Sequence, residues 1–280
     1  MLKVSARHFR LNMSDNDEQY TLGYGPASTA MMVNRTAKGH AAFLLPHLKP
    51  GMKVLDCGCG PGSLTLSLAE VVVPGEVVGT DLEESQLDLG RTEAARRGIT
   101  NVRFERASIY ELPFADDSFD AVYISAVLGN LRDPLRGLTE ARRVLKSSSV
   151  IGVKEFDHGG DLFHPSEPDL VEGIDLYHRL RRHNGHDPES GRKLLGFLQQ
   201  AGFRDITVRA TYDTFSGTEV LQQVGGLFAR LVDEAFAEPF QRLGWATPED
   251  VQRMTRAWQE FPRKPGAFYA QAWCEALAWK

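Results

Sequence analysis

At 280 residues, with 42% apolar and 25% charged side chains, the chain is long enough for one large globular domain or a domain carrying a substantial insertion. Its 32 Lys and Arg against 37 Asp and Glu give a formal charge of −5, which argues against the broad basic face that DNA or RNA binding needs. No apolar stretch reaches the roughly 20 residues that cross a bilayer, the first twenty residues lack the apolar centre of a signal peptide, and three cysteines cannot build a disulfide framework, so a cytoplasmic protein is expected.

In chain order, residues 28–48 are expected to form a helix, with Ala41, Leu44, Leu45 and Leu48 at helical spacing and a stop at Pro50-Gly51. "KVLDCG" is a short buried strand and "SLTLSLAEVV" the helix after it. "GEVVGTD" and "EESQLDLGRTEAARRG" repeat the pattern, the second helix ending at Gly98. "NVRFERAS", "SFDAVYISAVL" and "SVIGVKEF" are the third, fourth and fifth strands, with a helix from about Pro134 to Leu145 before the last of these. This alternation indicates a parallel, doubly wound α/β sheet, whose ligands bind beyond the carboxyl ends of the strands.

After residue 156 the regularity changes. "DLFHPSEPD" reads as a loop, and "LVEGIDLYHRLRR" as a helix whose Arg179, Arg181 and Arg182 form a solvated face. "GRKLLGFLQQAGF" is an amphipathic helix leading into the strand "DITVRATYDTF". Residues 217–262 are largely helical, with Thr247 an N-cap and Pro248 at the first helical position. "AFYAQAWCEALAW" is a last strand. The expected organisation is a flap over 1–40, a core over 41–216 and 263–280, and a helical cap over 217–262.

The stretch "VLDCGCGPGSL" (54–64) follows the first strand and carries the densest chemistry. A P-loop needs a Lys after its glycines, and there is none. Gly58, Gly60 and Gly62 give G-x-G-x-G, one residue off the dinucleotide spacing. Asp56 just before them would repel a pyrophosphate and suits a cationic ligand. Cys57 and Cys59 supply two metal ligands with no second pair at zinc spacing, and Cys274 lies inside an alternating strand, so no metal is expected.

"VLDCGCGPG" is similar to the first motif of class I S-adenosylmethionine-dependent methyltransferases. Further segments match that family in order: "VVGTDLEESQLDLGR", then "LPFADDSFDAVYISAVLGNLRDPLRGLTEARRVLK". "RTAKGHAAFLLPHLKPG" (35–51) and "NGHDPESGRKLL" (184–195) resemble its UbiE-like, small-molecule branch. The resemblance implies a Rossmann-like, seven-stranded, mostly parallel sheet with helices on both faces, and S-adenosyl-L-methionine as cofactor. It further implies a cradle made by Asp56, Gly58, Cys59 and Gly60, and ribose binding by Asp81 with Leu82 and Gln86 beside it. Ala107, Ser108 and Ile109 would lie against the adenine, Ser125 and Leu128 on the floor, and Tyr20 or Tyr24 over the cofactor. Three departures stand out: Ser108 where the family usually has an acid, Ser147-Ser148-Ser149 where it has a Pro-Gly-Gly turn, and Asn130 where relatives often have His. The serines also favour a turn.

In-line methyl transfer needs alignment and exclusion of water, which a capped site provides. The cap and last strand supply Phe228, Phe236, Phe240, Trp245, Trp258, Phe268 and Tyr269, which suits an apolar or aromatic metabolite. An acceptor that arrives protonated requires a base. Glu155, Asp157, His158, His164, His178 and His183 are near the expected site, and His158 and His183 are the candidates kept as catalytic. The expected partner is thus a small-molecule substrate, with no nucleic acid and no membrane, and with self-association left open. An S-adenosylmethionine-binding regulator without turnover and a nicotinamide dehydrogenase are the competing readings.

Overall fold

β1 (Lys53–Cys57), β2 (Glu76–Asp81), β3 (Val102–Arg106), β4 (Phe119–Ser125) and β5 (Leu145–Phe156) lie parallel in the order β3-β2-β1-β4-β5. The computed structural model describes residues 20–280, so residues 1–19 of the expected flap lie outside the described residues. Apolar side chains leave both faces of these strands because helices cover both. Ala121 and Tyr123 of β4 pack toward α3 (Ser63–Val72) and residues 41–48; Val122 and Ile124 pack toward α5 (Pro134–Val144) and α7 (Leu194–Gln200). A smaller cluster joins α3 and α4 (Glu84–Arg97) to β3 through Leu66, Leu87 and Phe104. The strand order reverses between β1 and β4, which opens a crevice at their carboxyl ends.

β8 (Phe268–Trp279) runs antiparallel between β5 and β7 (Arg204–Phe215), both of which pair with residues 273–279. The sheet has eight strands where seven were expected, because β6 (Leu162–His164) pairs with Phe268–Ala270 inside the stretch read as a loop. Three residues are too few to show an alternating pattern. β7 already occupies one edge of β8 there, so β6 prolongs the edge held by β5.

Two local expectations need correction. Residues 28–48 are not one helix but α1 (Pro26–Ala30), α2 (Ala37–His40) and a single turn at Leu45–His47. Thr36 starts α2 afresh by accepting the Gly39 N–H, and Pro46 has no N–H to continue it. The apolar spacing still reflects burial, since Ala41, Leu44 and Leu48 face the core. The triple serine is not a turn either. It lies within β5, where pairing with β4 jumps from Phe119–Leu145 to Ala121–Val150 and Ser148 adopts φ +60°, a bulge.

A second core stands over the carboxyl ends of the strands. It joins α6 (Pro168–His183), α8 (Thr218–Leu231), α9 (Ala237–Arg242) and α10 (Pro248–Glu260) through Leu176, Phe236, Phe240, Met254 and Trp258. Thr247 begins α10 with a reciprocal pair: its hydroxyl accepts the Asp250 N–H, and the Asp250 carboxylate accepts the Thr247 N–H at 2.8 Å. A π-helical turn, Val232–Phe236, separates α8 from α9. Glu234 in that turn accepts the N–H of Ala27 at 3.1 Å, and Leu22 and Ala27 pack into the same core, which ties the flap to the cap. No described helix is long and apolar enough to cross a membrane.

Candidate active site

The loop after β1 is held in a form that only glycine adopts without strain. Gly58, Gly60 and Gly62 have φ of +71°, +52° and +76°. A Cβ on Gly58 would overlap the Val127 side chain, and one on Gly62 would stand 2.5 Å from the Phe104 ring. The amides of Gly58 and Cys59 both donate to Thr80 O of β2, at 2.7 and 2.9 Å, so the loop folds back over the neighbouring strand.

Asp81 ends β2 and links three pieces of backbone. One carboxylate oxygen accepts the Gly60 N–H at 2.8 Å and the other the Glu83 N–H at 3.0 Å. Burial raises its pKa, an effect those N–H donors partly offset. Asp56 is buried in the cleft wall and accepts the Thr65 hydroxyl at 2.7 Å. Burial pushes its carboxyl up to about 7. Burial likewise raises the Cys57 and Cys59 thiols, which stay protonated.

These groups line one cleft of about 1200 Å³, counting its open mouth. Tyr20, Tyr24, Asp56, Gly58, Cys59, Gly60, Asp81, Leu82, Gln86, Ala107, Ile109 and Ser125 all reach it. Ser108 does not; its hydroxyl accepts the Tyr110 N–H at 3.2 Å inside its own turn. Leu128 also turns away, buried in the sheet core. Tyr20 and Tyr24 stand 5.3 Å apart in the cleft lining, on a turn closed by Gly23. Sequence reasoning missed Ser28, Met31, Met32, Arg35, Val127 and Phe156 as cleft residues. The first four sit in the stretch read as continuous helix, where nothing marked one face as ligand-facing.

Beyond Phe156 the cleft meets a second cavity of about 630 Å³, and both are walled by Leu22, Met31 and Phe156. Phe228, Phe236, Trp258, Tyr177 and Tyr269 make it aromatic. His158 is buried there, stacked on Phe156 at 4.9 Å, with Nδ1 3.0 Å from Asp161 Oδ2. Its Nε2 has no hydrogen-bond partner. His178 lies 5.4 Å away, its pKa lowered to about 3 by burial and then by His158, so it is neutral. His183 is not brought to either cavity; it is exposed and packs edge-on against Trp245. Glu155 accepts the Gly129 N–H and Asp157 is clamped by Arg192, so both are committed to structure.

The methyltransferase domain family matches residues 48–202. An uncharacterised methyltransferase of Schizosaccharomyces pombe is 30% identical over 238 residues, 81% of this chain and 84% of that one. The chain belongs to the methyltransferase family. The UbiE C-methyltransferase of ubiquinone and menaquinone biosynthesis from Vibrio vulnificus is 34% identical to this methyltransferase, over 57% of this chain and 66% of its own. Haemonchus contortus phosphoethanolamine N-methyltransferase 2, solved with phosphomonomethylethanolamine and S-adenosylhomocysteine, shares the fold. Its TM-score is 0.57 at 16% identity, covering 87% of this chain and 52% of the other.

The methyltransferase is an S-adenosyl-L-methionine-dependent enzyme. Its cleft fits that cofactor on its own geometry. Gln86 Oε1, Ser125 Oγ and Asn130 Oδ1 belong to cleft residues and are buried without partners, a set of polar atoms awaiting a polar ligand. The left-handed glycines bring bare backbone to the same space.

Proposed function

We propose that the enzyme methylates a small apolar or aromatic metabolite of specialised metabolism, in the cytoplasm, at an acidic hydroxyl that His158 deprotonates. One observation carries this reading: an aromatic cavity that holds an unpaired, buried histidine nitrogen shares the wall residues Leu22, Met31 and Phe156 with the cofactor cleft. When bound, S-adenosylmethionine supplies an electrophilic methyl on a sulfonium and departs as the neutral thioether. Asp81 keeps lone pairs for the ribose hydroxyls while Gly60 and Glu83 fix its plane. Ala107 and Ile109 line the cleft and would lie against the adenine, and Tyr20 and Tyr24, which line it too, would close over the cofactor. Leu22, Met31 and Phe156, which border both cavities, would frame the path of the methyl and keep water from it. His158 Nε2 takes the acceptor's proton, and Asp161 holds the ring in the tautomer that leaves Nε2 free.

The test is incubation with S-adenosylmethionine and a panel of small phenols, enols, saturated alcohols and amines, followed by S-adenosylhomocysteine release. Turnover is expected with aromatic phenols or enols. Turnover confined to the amines would overturn the proposed chemistry.

Asp56 adds a pH dependence. A bound sulfonium favours the ionised carboxylate, so cofactor affinity is lost as pH falls through about 7. Between about pH 6 and about pH 8, affinity for S-adenosylmethionine relative to neutral-sulfur S-adenosylhomocysteine should rise by up to about tenfold. In Asp56→Asn the ratio should stay flat. Calorimetry at several pH values checks this, and a flat ratio in the wild type removes Asp56 from the sulfonium's surroundings.

A further inference from the structure

We infer that the acceptor is a catechol-type ring whose second hydroxyl, on the carbon beside the one that is methylated, is held by His178. This rests on the reading above and deepens it: His158 serves the oxygen that takes the methyl, and His178 selects the molecule that carries it.

The aromatic cavity has few polar groups left to offer a ligand. Asp161 is engaged by His158, Ala272 and Tyr269, the Tyr177 hydroxyl accepts from Arg181 at 3.1 Å, and Gln271 meets the Tyr269 hydroxyl. The rest of the wall is aliphatic or aromatic. Two imidazoles remain. The buried Nε2 of His158 has no partner, and His178 hydrogen-bonds no described residue. His178 is half-buried on α6 and lines the same cavity. Burial first, and then His158, Arg182 and Arg181, disfavour a positive charge on it, so it presents one N–H and one lone pair.

The placement of the two rings says what the ligand carries. Their centres are 5.4 Å apart and their planes differ by 32°, so they stand side by side and not across the cavity from each other. Hydrogen bonds of about 2.8 Å from adjacent rings reach adjacent oxygens. A ring with one hydroxyl satisfies His158 alone and leaves His178 against an apolar edge. A second hydroxyl opposite the first lies away from both imidazoles, where the wall returns no hydrogen bond for the water it lost. Two hydroxyls on neighbouring carbons meet both. The His178 N–H donates to the second oxygen, whose own hydrogen turns to the first. When His158 Nε2 takes the proton of the first, that hydrogen steadies the charge left behind. The first oxygen then bonds to the methyl as the carbon–sulfur bond breaks, and the second keeps its proton throughout.

Calorimetric titration of catechol, resorcinol, hydroquinone and phenol into the S-adenosylhomocysteine complex of the full chain reads recognition without turnover. S-adenosylhomocysteine release from S-adenosylmethionine reads the chemistry beside it. Wild type is expected to bind catechol about 10- to 100-fold more tightly than the other three, the range set by leaving one buried polar group unpaired. His178→Leu should bring catechol down to the level of phenol. His178→Gln, which keeps an N–H donor, should restore part of the preference. Equal binding of all four by wild type, with phenol turned over, overturns this inference and leaves the general-base reading standing. A preference that survives in His178→Leu gives the second oxygen to another group, and equal weakening of all four ligands makes His178 a packing residue; both overturn it. Turnover of none of the four by an enzyme that methylates amines refutes the hydroxyl reading itself, and the inference with it.

Discussion

His158→Gln is expected to lower kcat by about 10²- to 10⁴-fold, the usual contribution of a positioned general base. S-adenosylhomocysteine affinity should stay within about twofold of wild type, since His158 faces the aromatic cavity and not the cofactor cleft. Glutamine preserves much of the ring's volume, so the Phe156 stack loses little. The geometry behind the expectation is a chain of fixed contacts. Asp161 accepts the Ala272 N–H at 2.7 Å through Oδ1, and Tyr269 OH lies 3.3 Å from its Oδ2. That carboxylate cannot rotate freely, so it fixes the imidazole. Asp161→Asn offers an N–H or a weaker acceptor to Nδ1, and a smaller fall in kcat with unchanged KM should follow, as for a positioning residue. Full kcat in His158→Gln on a phenolic acceptor would show that the acceptor ionises without help from the enzyme.

Asp81→Ala is expected to weaken S-adenosylhomocysteine binding by about 100-fold, from two or more charge-assisted hydrogen bonds. The loss has two parts. Ribose hydroxyls lose their acceptor, and the Gly60 and Glu83 amides lose theirs, which frees the glycine loop before any ligand arrives. Asp81→Asn separates them: one amide oxygen still serves one N–H, so loop order survives better than ribose binding. Isothermal titration beside thermal melting distinguishes the cases. Unchanged affinity in Asp81→Ala would refute the placement of the ribose.

Much of this was legible because the signals are local. Glycines at positive φ, an acid at the end of the second strand, and strands alternating with helices each announce themselves within a few residues. The parallel sheet follows from that alternation, and the methyltransferase assignment from the ordered motifs. What stayed hidden depends on distant pairing. β6 exists only because residues 268–270 lie beside it. The serines read as a turn because nothing local shows that both flanks remain paired to β4. Asp161 lies only three residues after His158, yet no motif marks it, and its carboxylate is held in place by the distant Ala272 and Tyr269. Ser108 fell at the right place in the chain and the wrong place in space, since a one-residue step around a turn reverses a side chain. His183 shares a helix with Tyr177, yet it falls outside both cavities.

The π-helical turn at Val232–Phe236 has a consequence for how this enzyme family changes. Such a turn is one residue more than a regular helix would hold. Val232 and Phe236 wall the aromatic cavity, while Glu234 between them grips the flap. Deleting one residue there would draw the bulge into an ordinary helical turn while the helices on either side keep their facing. The positions inside the turn alone would be reassigned, so the cavity's wall and the flap's tether would change in a single genetic event. Substrate range can therefore shift by insertion and deletion here, in steps that point substitutions would take many generations to assemble.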